Sequence, residues 1–262
     1  MTAVDILGLL VPVTYLAMLA IEAVAPARQF PPIRAWRLTG IAFLILSGVL
    51  ATTVPLLIPV DWLAAHRLID GTPLGVVGGA VVGYAGVSLI SYAWHRSAHT
   101  FPLMWRTFHQ IHHSPQRVDI SGSMLFHPLE TAVFMTISIV TSTLILGLDP
   151  LAAALTGYIA NFYGLFQHMN IRTPHWLGYL IQRPEAHCIH HQRDVHNYNF
   201  GDLPIWDMLL GTFRNPRNFA GEVGFDAPAT GRLGAMLAFV DVNKPIAGAG
   251  SLGRKPTVRA AA

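Results

Sequence analysis

Cysteine is all but absent from this chain. Cys188 stands alone among 262 residues, which excludes an intrachain disulfide and any zinc or iron–sulfur site built from thiolates. Charge is the second shortage: 12% of residues are Asp, Glu, Lys or Arg, against about 25% in an ordinary soluble domain. With 52% hydrophobic residues and a mean hydropathy of +0.45, this deficit predicts a membrane protein. The net charge of +3 is too small to support nucleic-acid binding, and the basic residues, nearly all arginine, flank apolar runs as suits a lipid headgroup surface. Carboxylates are scarce too: between His95 and His191 only Asp119, Glu130, Asp149 and Glu185 occur. Soluble di-iron bundles are built on Glu and Glu-x-x-His ligands, so that class is excluded. No basic stretch precedes the first apolar run, so no cleavable signal peptide is expected.

The apolar runs Ile6–Ala25, Leu38–Val60 and Pro73–Trp94 each approach the ~20 residues of a spanning helix. Glu22 falls near the end of the first and is expected at headgroup depth. Arg28, Arg34 and Arg37 follow that run, so the positive-inside rule places Met1 outside and Trp94 at the cytoplasmic face. A further apolar stretch, Thr131–Phe166, is broken at Gly147-Leu148-Asp149-Pro150. Its arms of about 16 residues are short for full spans, which predicts a tilted or re-entrant hairpin returning to the side it left. Gly75, Gly79 and Gly83 recur every four residues and predict close helix packing rather than a nucleotide loop. The expected fold is an all-α membrane bundle of three long spans plus a helical hairpin under a cytoplasmic histidine-rich cap. Residues 1–94 form the anchoring helices, 95–214 the catalytic region with its hairpin 131–166, and 215–262 a C-terminal extension. From about Ile246 the Gly/Ala-rich tail is expected to be disordered.

Histidine is what the chain has in plenty. His95 and His99 are four apart; His109, His112 and His113 form an H-x-x-H-H triplet, repeated in His187, His190 and His191. On a helix these spacings point the rings along one face. Neutral imidazole is the commonest nitrogen ligand of zinc, copper and iron, and two irons of five or six coordination need on the order of ten donor positions. His127 and His168 fall on the same side by the topology above and complete the set of ten. His66, His175 and His196 stand alone and are read as ordinary residues, and Cys188 as packing. Glu130, Asp194 and Asp202 are candidates to orient the ligands through their second nitrogens. Arg96, Arg106, Arg117 and Arg172 flank the clusters and are read first as interfacial anchors.

His95-Arg-Ser-Ala-His99, His109-Gln-Ile-His-His113 and His187-Cys-Ile-His-His191 resemble the three histidine boxes of the fatty acid hydroxylase/sterol desaturase superfamily. Asn197-Tyr-Asn-Phe-Gly201 and Ile205-Trp-Asp-Met-Leu-Leu-Gly-Thr212 are similar to that superfamily's C-terminal motifs, and the resemblance covers roughly Val81–Arg214. It implies an integral-membrane, non-haem di-iron monooxygenase in which the box histidines, with His127 and His168, hold two iron ions. The implied reaction hydroxylates a C–H bond of a lipid with O2 and two external electrons; a desaturase with the same site is the close alternative. No cytochrome b5, flavin or nicotinamide motif is present, so electrons would come from a separate ferredoxin or cytochrome b5 type donor. The substrate pocket is expected around Phe162, Tyr163 and Phe166 and the inner ends of the first spans, with ordinary helix packing as the alternative role for these aromatic residues. Arginine-rich, lysine-poor usage points to a bacterial inner membrane. A metal transporter is the alternative of another class, but it would carry its ligands deep within the spans.

Overall fold

The computed structural model describes residues 2–243, so the expected tail from Ile246 lies outside the described residues. Among the described residues there is no β-strand, only an isolated antiparallel bridge between Gln192 and Val223. Helix α1 (Ala3–Val24) starts at a reciprocal cap in which the Thr2 hydroxyl accepts from the Asp5 N–H and the Asp5 carboxylate from the Thr2 N–H. Helix α2 (Trp36–Thr53) runs on into a tight 3-10 turn at Val54–Leu57. Helix α3 (Gly75–Thr100) carries the first two box histidines on its last turns. A π-helical turn, Trp105–His109, leads into the short α4 (Gln110–His113). Helix α5 (Pro128–Val140) continues as a π turn to Ile145, and α6 (Pro150–His168) returns beside it. Two short helices, α7 (Pro184–His190) and α8 (Pro204–Leu209), complete the cap.

Ala3–Val24, Trp36–Leu57, Thr72–Thr100 and Pro128–Ile145 are each long and apolar enough to cross a membrane. Their outward faces expose Val13 (58%), Ile45 (63%) and Val77 (74%). Large apolar side chains bared along whole helices fit hydrocarbon, not water. The protein is therefore a helical membrane protein. The hairpin departs from expectation in length. Its first arm begins at Pro128 and, through the π turn, reaches 18 residues, and its second has 19. Both arms start or end on polar residues, His127–Glu130 and Gln167–His168, that an apolar window leaves out.

The turn between the arms demands glycine. Gly147 has φ +52°, and a β-carbon there would collide with the Ile69 carbonyl, while the Asp149 carboxylate caps α6 by accepting from the Leu151 N–H. The expected small-residue packing holds at two of its three positions. Gly79 approaches Ala152 and Gly83 approaches Thr156 and Leu148, so α3 and α6 pack tightly there. Gly75 instead starts α3 in the left-handed region, φ +63°.

One end of the bundle gathers the histidine groups and their polar partners. Glu22, at the end of α1, is buried within the protein, and its Oε2 accepts from the N–H groups of Ile120 and Asn170. At the start of α2 the Trp36 indole donates to Asp119. The C-terminal ends of α3 and α6 and the N-terminal end of α5 meet there with α4 and α7. The described part of the C-terminal extension folds back over this cap, packing Phe225, Met236 and Val242 with Trp36, Ile111 and Leu125.

A β-carbon at Gly83 would lie 2.7 Å from a Leu148 methyl. Gly83→Leu is therefore expected to destabilise the detergent-solubilised protein by about 1–3 kcal/mol, the usual penalty of overpacking. Gly48→Leu, facing nothing within 4 Å, is expected to leave the melting temperature unchanged.

Candidate metal centre

Nine imidazoles converge at the polar end in two adjoining groups. His95, His99, His109, His113 and His190 form one, and His112, His168, His187 and His191 the other; within each, one nitrogen per ring lies within 4.8 Å of every other. Each H-x-x-H-H triplet is split between the groups. Its outer two histidines, four apart on one helical face, go to one group and its middle histidine to the other. Thus α4 lends His112 to the second group while α7 lends His190 to the first. The groups touch: the His113 and His191 rings stack at 4.2 Å. The wide π turn before α4 sits where such turns concentrate, at functional sites, and seats His109 in the wall.

The spacing of the Nε2 atoms is informative. His95 and His109 face each other at 2.9 Å and His109 and His113 at 3.0 Å. In the second group His112–His168, His168–His187 and His187–His191 stand at 3.0, 3.0 and 3.1 Å. Two nitrogens held about 2.1 Å from one metal at a right angle are roughly 3.0 Å apart, whereas a tetrahedral angle separates them by roughly 3.4 Å.

Hydrogen bonding assigns the tautomers. His109 Nδ1 lies 2.7 Å from Glu130 Oε1, while the Nδ1–H of His95 donates to the Phe200 carbonyl at 2.7 Å, that of His168 to the Gly164 carbonyl and that of His190 to the Tyr198 carbonyl. The Nε2 atoms of His95, His168 and His190 are then bare lone pairs. That of His95 stands 2.9 Å from His109 Nε2, that of His168 stands 3.0 Å from those of His112 and His187, and that of His190 is buried without a protein partner. Burial pushes the His109 ring down to about 3. Burial first and neighbouring rings second hold His112, His113, His187 and His191 well below the ordinary value; for His190 burial again comes first. The rings are therefore neutral at neutral pH, and their bare nitrogens suit a cation. The residues fit a two-metal centre.

A supporting layer holds the rings. Asp207 Oδ1 accepts from the Phe200 N–H and the Thr212 hydroxyl, and its Oδ2 from the Gly201 N–H, fixing the turn whose Phe200 carbonyl receives His95. Asn199 spans from Ala186 on α7 to Arg214, in the turn whose Tyr198 carbonyl receives His190. The wholly buried Arg183 pairs with Glu185 at 3.1 Å, and Glu185 accepts from Thr173, anchoring the start of α7.

Of the ten predicted ligands, His127 is not brought to either group. It caps α5: its Nδ1 accepts from the Leu129 N–H at 3.1 Å, and its ring lies 5.1 Å from Phe239. Of the predicted orienting acids, Glu130 binds His109. Asp202 accepts from Gln167 beside His168, and loss of surrounding water pushes its carboxyl up to about 6. Asp194 sits in a left-handed turn, φ 62°, with no hydrogen bond to a histidine of either group among the described residues. His196, read as an ordinary residue, lies outside both groups; it stacks near His99 at 5.6 Å and lies 5.1 Å from Trp105. Asp207 and Asn199 stand inside the motifs quoted above, where only the resemblance marked them.

A cavity of about 210 Å³ opens onto His95, His109, His112, His168 and His187 and runs between α3, α5 and α6, walled by Val87, Phe134, Met135, Ala160, Gly164 and Leu165. Phe162, Tyr163 and Phe166 are not in its wall. Phe162 and Phe166 pack with Tyr15 and Met18 of α1, and Tyr163 stacks on Tyr84 at 5.3 Å. The aromatic face of α6 thus serves helix packing, and its opposite, small-residue face lines the cavity.

A membrane bundle that gathers nine imidazoles, seven of them buried, in two touching groups at the end of an apolar cavity defines an integral-membrane metalloprotein of the histidine-box kind. The fatty acid hydroxylase family model matches residues 80–212, half of the chain, and the chain belongs to that family. It is 34% identical over 183 residues to an ornithine lipid hydroxylase of Rhizobium tropici, covering 66% of this chain and 53% of that protein. It is 30% identical over 146 residues to a very-long-chain aldehyde decarbonylase of Oryza sativa, covering 52% and 55%. To human alkylglycerol monooxygenase it is 31% identical over 135 residues, covering 50% and 29%. The chain spans about half the length, or less, of these curated relatives. No solved structure matches it significantly.

Elemental analysis of purified variants checks the ligand geometry. His109→Ala and His190→Ala are expected to lose metal while still inserting in the membrane, and His127→Ala to keep it. Glu130→Ala, which frees the His109 ring, is expected to weaken metal binding about 10–100-fold, as loss of such orienting partners does.

Proposed function

We propose that this protein is a non-haem di-iron monooxygenase that hydroxylates a C–H bond of a membrane lipid. The observation that carries the reading is the placing of an apolar cavity, framed by membrane helices, directly against ligands of both histidine groups. The substrate is a lipid with an aliphatic chain, taken from the bilayer itself. In balance, the C–H bond and O2, with two electrons and two protons, give an alcohol and water. A bound pair of irons supplies dioxygen activation and oxidation of the C–H bond. All five histidines of the first group and all four of the second are assigned as its ligands.

The chain's own residues do the rest. The Phe200, Gly164 and Tyr198 carbonyls hold three rings in one tautomer and Glu130 orients a fourth, so the nitrogens are aligned before metal binds. Val87, Phe134 and Leu165 exclude water and orient the chain, keeping one carbon against the centre. The electrons come from a separate donor of the ferredoxin or cytochrome b5 type, docking on the cap side. The arginines after α1 support a cap facing the cytoplasm, and arginine-rich, lysine-poor usage supports a bacterial inner membrane. The hydroxylase and monooxygenase names borne by two of the relatives support the reaction class.

Purified protein is expected to hold roughly two irons per chain, without the absorption of haem. Lipid mass spectrometry of cells expressing the wild type is expected to find species heavier by one oxygen that are missing with His190→Ala. Lipids lighter by two hydrogens would make it a desaturase instead. Metal flux into proteoliposomes without any lipid product would overturn the reading.

A further inference from the structure

The cavity is long rather than round, and three helices carry its length. Its wall runs along α3 from His95 to Val87 and along α6 from His168 to Gly157. At 1.5 Å per residue these stretches measure about 12 and 16 Å. Just beyond, α3 and α6 close on each other, with Gly83 against Thr156 and Leu148 and Gly79 against Ala152. The cavity therefore has a floor one turn past Val87 on α3 and next to Gly157 on α6, with Ser138 of α5 opposite.

Glycines 157 and 164 line this cavity from inside a regular helix, where glycine costs about 1 kcal/mol relative to alanine. Neither has a positive φ. Neither is needed for close helix approach, as Gly83 is. A β-carbon at Gly164 would meet nothing within 4 Å, and one at Gly157 would sit 3.8 Å from the Ser138 hydroxyl, an ordinary contact. What the two glycines supply is room along the cavity, Gly164 one turn from the metal ligand His168 and Gly157 near the floor.

Resting on the lipid-monooxygenase reading, we propose that Gly157, with Ser138 facing it, sets the length of aliphatic chain the centre accepts. The reacting carbon sits at the histidine end and the remainder of the chain lies along α6 with its tip at the floor. An extended zigzag advances ~1.2 Å per bond, as the extended polypeptide does, so the channel holds roughly ten to thirteen carbons. A side chain placed at position 157 shortens the channel from its far end and leaves the histidines untouched.

The test reads binding, not turnover. Octanoate, laurate and stearate compete with a spin-labelled stearate for the metal-loaded, full-length protein in detergent. Gly157→Phe is expected to weaken laurate and stearate by about tenfold or more while octanoate stays near its wild-type affinity and the metal content is unchanged. An unaltered length profile, or an equal loss for all three acids with metal retained, overturns the proposal. Gly157→Cys gives a second readout. Its thiol is expected to react with a maleimide and to be protected by laurate but not by octanoate; equal protection by both overturns the proposal. The native Cys188 stays silent, being buried with its thiol pushed up to about 12. Failure of the parent reading appears elsewhere, as an iron-loaded wild type that incorporates no oxygen into lipid.

Discussion

The architecture depends on bare nitrogens. Three imidazoles commit Nδ1–H to backbone carbonyls, His95 to Phe200, His168 to Gly164 and His190 to Tyr198, and turn unprotonated Nε2 atoms toward the other rings. Burial disfavours protonation of the crowded rings, so a cation is the partner that suits them. A cation held by nitrogen alone keeps its full positive charge, unlike one bound by carboxylates. The shortage of acidic residues across the histidine region is thus a property of the centre as much as of the membrane. Glu130 is the exception, and it binds a ligand ring rather than pointing its bonded oxygen at the centre.

Holding so many lone pairs together takes scaffolding from every part of the chain. Membrane helices bring His95, His99 and His168, which lie on their last turns, to a common end. The Asn197–Thr212 segment then supplies the carbonyls that fix His95 and His190, and Asp207 stiffens the turn from beneath through three accepted hydrogen bonds. The tight seam of α3 on α6 serves both ends. It closes the cavity at Gly83, and one turn further toward the histidines the helices part to form it.

The membrane bundle and the histidine sets were legible because each depends on local periodicity. Twenty apolar residues span a bilayer wherever they occur, and histidines four apart share a face whatever surrounds them. His127 misled because its Phe-His-Pro context, read through a family resemblance, says nothing of what the ring meets; the structure gives it to the Leu129 N–H. The aromatic residues of α6 misled differently. The apolarity of Phe162, Tyr163 and Phe166 suits a pocket, yet apolarity cannot tell a face that meets another helix from one that meets a cavity. The hairpin arms were underestimated because they end in polar residues that belong to the site.

By itself the amino-acid sequence determined that this is a helical membrane protein with imidazole, not carboxylate or thiolate, as its metal-binding chemistry, and by span parity that the boxes share one end. Only the tertiary structure decided how each triplet divides between a group of five and a group of four, which nitrogen of His95, His168 and His190 is bare, and which side of α6 is hollow. Spacing along a helix sets the direction of a side chain about its own axis. Where that axis lies relative to the others is settled by packing between residues far apart in the chain.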